Sequence, residues 1–227
     1  MSTRLSSNAT NEVISTLTDR AQPAMLHTAA RLALAASIAT LVFLAVLHLL
    51  SPEFDPSRRM VSEYALGNYG WILSLMFLTW ALSCVALFFA ARPDVRTIGG
   101  RIGLGLLLLS ALGMIMAAMF DVSHNLHGLA AMIGIPNFPI AAVLISVSLG
   151  RNSSLTSARP LLVGTAILTL VSLILMMVAI FTGFSQTFEA LPGAWFGWAN
   201  RFLIVAYTLW LMTAAERILS LRQPQSS

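Results

Sequence analysis

Six apolar stretches, each about as long as a bilayer is thick, limit what this chain can become more than any other feature. They lie at residues 24–50, 69–91, 99–120, 124–149, 160–183 and 195–215. A helix rises about 1.5 Å per residue, so roughly 20 apolar residues cross a hydrocarbon core about 30 Å thick. Inside hydrocarbon every backbone N–H and C=O needs a partner within the protein, which leaves helices or a closed barrel. Runs this long are helical. The expected fold is all-α, a polytopic membrane bundle of six transmembrane helices. Composition agrees, with 57% hydrophobic and 10% charged residues, against about 25% charged in soluble domains.

Residues 1–23 are rich in Ser, Thr and Asn and read as a disordered cytoplasmic tail. Residues 24–216 form the transmembrane domain, and 217–227 a second cytoplasmic tail. The connections at 92–98 and 151–159 are short, which predicts one compact bundle of antiparallel neighbours. No repeat relates the first three segments to the last three, and this counts against an inverted-repeat transporter. Gly99-x-x-x-Gly103 has the small-residue spacing that lets two helix backbones approach closely. Pro136 and Pro139 predict a kink in the fourth helix. The single cysteine, Cys84, lies inside an apolar segment and excludes an intrachain disulfide.

All 13 basic residues are arginines. Arg4, Arg20, Arg31, Arg92, Arg96, Arg101, Arg151, Arg159, Arg217 and Arg222 belong to one side, and Arg58, Arg59 and Arg201 to the other. The positive-inside rule then places both termini in the cytoplasm, with the chain in the plasma (inner) membrane. The arginines border apolar segments and form no basic run with interleaved aromatics, so nucleic acid is not an expected partner. The expected partners are the lipid bilayer and a lipid or small-molecule ligand at the outer leaflet.

Chemistry-bearing residues collect on that outer side. The stretch Phe120-Asp121-Val122-Ser123-His124-Asn125-Leu126-His127-Gly128 interrupts two apolar runs with a carboxylate and two imidazoles. Asp121 is placed to cap the following helix by accepting from the N–H of Ser123 or His124. Asp121, His124 and His127 have the residue types of a zinc site, although i, i+3, i+6 spacing spreads too widely on a regular helix to hold one ion. His48, from the first helix, is the candidate fourth ligand. Ser62, Glu63 and Asp121 are the candidate catalytic residues, and Arg58 and Arg201 the candidate binders of an anionic group. Arg201 lies roughly 9 Å into the sixth span. A charge at that depth is costly unless it snorkels or finds a partner, and Asp121, Glu63 and Glu189 are the carboxylates on its side. A pair with Asp121 or Glu63 is the expectation.

These residues support a resemblance. "VSEYALGNYGW" ahead of the second helix, "FDVSHNLHG" between the third and fourth, and "FGWANRF" opening the sixth are similar to the bacterial membrane family called domain of unknown function 998. The resemblance covers about residues 28–215, and Ser62, Asp121, His127, Gly197 and Arg201 match its recurring positions. It implies the six-span fold and no established activity. A fainter similarity joins Ser62, Asp121 and His127 to membrane hydrolases of the alkaline ceramidase type, but no histidine follows His127.

Three functions compete at this point. The first is a structural, accessory or ligand-binding membrane protein with a polar pocket at the outer leaflet. The second is a metal-dependent hydrolase acting on a lipid or amide, and the third a small transporter. The spans carry little midplane charge, which weighs against a proton-coupled transporter.

Overall fold

A computed structural model describes residues 2–183 and 193–221, with side chains from Pro23 onward. Seven α-helices follow one another: α1 (Ser2–Leu50), α2 (Gly70–Ala91), α3 (Ile98–Met119), α4 (His127–Gly134), α5 (Asn137–Leu149), α6 (Arg159–Gly183) and α7 (Phe196–Ser220). No strand occurs among the described residues. Six spans are long and apolar enough to cross a membrane, α4 and α5 together forming the fourth, His127–Leu149. The expected all-helical, six-span fold is present.

Two boundaries differ from the expectation. Helix α1 reaches back to Ser2 through the polar stretch read as a tail, where neither Gly nor Pro interrupts it, and its apolar span begins at Pro23. Helix α7 continues to Ser220, because Glu216 and Arg217 are as compatible with a helix as the apolar residues before them.

The helices close into a ring. α1 packs on α2, α2 on α3, α3 on α5, α5 on α6, α6 on α7, and α7 returns to α1. α7 also touches α2 and α5 and is the most buried span. Small hydroxyls join α1 to α2, with Ser37 and Ser83 2.6 Å apart and Thr40 and Thr79 3.1 Å apart. Such bonds suit a setting where hydrophobicity alone does not favour helix association. At mid-depth Phe138 stacks on Tyr207 at 4.3 Å, Trp80 stands edge-on to both, and Trp210 donates to Ser146 at 2.9 Å. Gly99 and Gly103 lie against Leu144 of α5, so the small-residue motif is a packing surface.

The predicted kink is a complete break. Pro136 and Pro139 cannot donate to the carbonyls four residues earlier, and the freed groups find other partners. Tyr207 donates its hydroxyl to the Ile135 carbonyl at 3.0 Å, a group that residue 139 would otherwise bond. Ser110 donates to the Gly134 carbonyl and Asn137 to that of Ile133. Gly113 and Gly134 meet so closely that a Cβ on Gly113 would fall on the Gly134 backbone. The break presses α4 onto α3, while α5 continues to α6. That difference in packing positions the site.

Candidate functional site

One end of the bundle gathers the C-terminus of α1, the loop 51–69, the turn 120–126 and the N-terminus of α7. Arg201, one turn into α7, is its centre and is only 5% exposed. Its Nε donates to His48 Nε2 at 2.6 Å, one terminal nitrogen donates to the carbonyls of Arg59 (2.7 Å) and Gly197 (2.9 Å), and the other donates to the Tyr64 hydroxyl at 3.0 Å. The guanidinium carbon also stands 5.6 Å from the Tyr64 ring centroid. A guanidinium only donates, so His48 Nε2 must accept, and the imidazole proton sits on Nδ1. That nitrogen contacts the Leu44 carbonyl at 2.7 Å. The ring is a neutral relay between α1 and α7.

The expected Arg201–Asp121 or Arg201–Glu63 pair does not form. Glu63 is held by its own loop: it pairs with Arg59 at 2.7 Å and accepts from the Met60 N–H at 2.8 Å. Asp121 is exposed and accepts from both the backbone N–H (2.8 Å) and the hydroxyl of Ser123. These two bonds, hydroxyl first, hold its carboxyl below the ordinary value of 3.8, with smaller help from His124 and His127. The bond to Ser123 is as expected, but it closes a turn, since α4 begins only at His127. Glu189 lies outside the described residues. Arg201 is therefore satisfied by dipoles, with the exposed Asp55 a more distant influence. Ser57 donates its N–H and hydroxyl to Asp55, and these bonds, with Arg58 and Arg201 adding to them, hold that carboxyl below its usual range.

Gly197, one turn before Arg201, explains how the loop comes so near. The Gly197 N–H donates to the Ser57 carbonyl at 3.0 Å, and a Cβ there would lie 2.7 Å from the Arg59 carbonyl oxygen. Asn200 adds a third tie by accepting from the Val61 N–H at 2.9 Å. Gly197, Asn200 and Arg201 thus bind loop 51–69 down on α7. Arg58 stays exposed on that loop.

The candidate metal ligands stand apart. His48 has both ring nitrogens engaged. His124 is exposed, stacks on Phe120 at 4.6 Å and accepts from the Leu126 N–H. His127 directs Nδ1 to the Phe120 carbonyl at 2.9 Å. Among the described residues no three His, Cys, Asp or Glu side chains are grouped to hold a metal ion. The donors do not fit a zinc centre.

Beside this anchored loop lies a cavity of about 510 Å³, between α4 and α6 and floored by α2 and α7. Ligand sites typically measure about 300–1,000 Å³. Its walls are apolar and rich in methionine, including Met60, Met114, Met132, Met176 and Met177. Met132 and Met177, 70% and 36% exposed, form part of the rim on the side of the bundle. Among the residues that line it, Ser62, His127 and Asn200 carry hydrogen-bonding side chains. Trp80 lines it deeper, and its indole N–H is buried without an acceptor. Of the candidate catalytic residues, Ser62 reaches the cavity and Glu63 and Asp121 do not. The sequence reading missed the cavity wall, since methionines in an apolar span carry no signal of a void.

The family model described as "Protein of unknown function (DUF998)" matches residues 34–217. The chain belongs to this family. Searches of curated proteins and of solved structures return no match. Nothing in these comparisons carries the fainter similarity to ceramidase-type hydrolases. Of the positions taken from the family resemblance, Gly197 and Arg201 hold the loop, Ser62 and His127 line the cavity, and Asp121 shapes the turn leading to His127.

Proposed function

We propose that this membrane protein binds an apolar or amphipathic, lipid-like molecule in the cavity between α4 and α6. The observation that carries this reading is the cavity itself, whose lining is mostly apolar with Ser62, His127 and Asn200 among it. Methionine side chains adapt to irregular apolar shapes, which suits these walls to a flexible apolar ligand. The arginine distribution supports cytoplasmic termini, which would set the polar end of the cavity at the outer leaflet of a bacterial plasma membrane.

The test is to fill the cavity. Ala131 lines it without being fully buried, so Ala131→Trp should occupy the space with little strain elsewhere. In detergent, photolabelling of the wild type by a diazirine-bearing long-chain lipid should fall about tenfold or more in the variant, while thermal unfolding is unchanged. Undiminished labelling would show that the lipid binds elsewhere. A hydrolytic reading finds less support, because the donors expected for a metal are dispersed and Ser62 has neither carboxylate candidate beside it in the cavity.

A further inference from the structure

We infer that the cavity selects an amphiphile whose polar head is an uncharged hydroxyl, a long-chain or isoprenoid alcohol or a lipid bearing a free alcohol. This rests on the binding reading above and goes beyond it, to the chemistry of the head. The argument starts from charge. Among the described residues no Asp, Glu or Arg lines the cavity, and three of those at this end of the bundle are engaged elsewhere. Arg201 spends its donors on His48, Tyr64 and two carbonyls, Glu63 is tied to Arg59 and Met60, and Asp121 to Ser123. A carboxylate, phosphate or ammonium head would find no counter-charge there among the described residues, which is the costly case.

The hydrogen-bonding groups then specify the head. The Phe120 carbonyl only accepts, so His127 Nδ1 carries the proton and donates to it, and Nε2 is the free acceptor. Asn200 uses its carbonyl oxygen on the Val61 N–H, and its amide nitrogen has only the Met176 sulfur, a weak acceptor, at 3.5 Å. Ser62 contributes a hydroxyl. The lining therefore offers an acceptor on His127, a donor on Asn200 and, on Ser62, a hydroxyl that can do either. A hydroxyl complements this set, donating its proton to His127 and accepting from the other two. A ketone or ester brings no proton for His127, and an alkane matches none of the three.

The experiment is competition against a photoactivatable long-chain alcohol on the purified full-length protein at neutral pH. The competitors are the alcohol, carboxylic acid, primary amine and methyl ester of one chain length. The alcohol should compete about tenfold or more better than the other three, the scale set by one mismatched buried polar group. His127→Leu should abolish that preference. Because His127 also holds the Phe120 carbonyl, Ser62→Ala, which removes only a hydroxyl, serves as a second variant and should narrow the preference by a few-fold. Equal or better competition by the acid, amine or ester overturns the hydroxyl assignment while leaving the cavity a binding site. Failure of every probe to label the cavity in the wild type overturns both readings.

Discussion

The two sides of this bundle are built in opposite ways. Around Arg201 four donor contacts meet four acceptors, and the loop, α1 and α7 become one unit. Between α4 and α6 the walls stand apart around about 510 Å³. The first region resembles a finished structural joint, the second a surface awaiting a complement. Arg201 is bonded within the protein, whereas the cavity walls have nothing packed against them, so the contrast separates what holds this fold from what it holds.

Breaking the joint should have the largest effect. Arg201→Leu leaves the Tyr64 hydroxyl, two carbonyls and His48 unmatched, and should lower stability by roughly 3 kcal/mol or more, read by unfolding in detergent. Arg201→Lys should rescue little, because an ammonium lacks the planar fork that reaches these partners together. If Arg201→Leu unfolds like the wild type, the joint is not structural. Gly197→Val comes next. Its side chain would push into the Ser57 and Arg59 carbonyls, at a cost of about 2 kcal/mol. Loop 51–69 should then become accessible to protease before the helices unfold.

The cavity side should be far more tolerant. Met177→Ala trims a partly exposed wall residue beside an existing void, and should cost under about 1 kcal/mol, less than a fully packed core methionine would. A larger loss would mean that the α4–α6 flank is packed more tightly than the cavity indicates. The smallest effect belongs to Asp121. Its pKa is lowered in the folded protein, so its contribution is complete above the ordinary carboxylate value of 3.8 and is lost only as pH falls through the lowered value. Asp121→Asn should leave global unfolding unchanged at neutral pH and speed hydrogen exchange at the Ser123 amide alone.

The spans and the break in the fourth helix were legible in the sequence, because length in hydrocarbon and the missing proline N–H are local properties. Arg201 was legible as a residue in need of partners, but the partners were misread. Carboxylates are conspicuous in a list of residues, whereas the carbonyls of Arg59 and Gly197 belong to a backbone that every position has. Gly197 stood out in the sequence only through the family resemblance, and its physical role appeared once its Cβ direction met the loop. His127 was identified for its imidazole, yet its setting depends on Ile135, Pro136 and Gly134 pulling α4 away from α6, and such displacement leaves no mark in any single window of sequence.

The joint at Arg201 also has a consequence for how the chain is made. His48 and Arg201 are 153 residues apart, and Tyr64 and Arg201 are 137 apart. Five spans must enter the membrane before the one bearing Gly197, Asn200 and Arg201 is synthesised. Until then His48, Tyr64 and the loop between them wait without their partner. A nascent chain stopped before residue 196 should therefore stay open at this end, with loop 51–69 exposed to the cell's quality-control proteases, and arrival of the last helix would be the event that closes the ring.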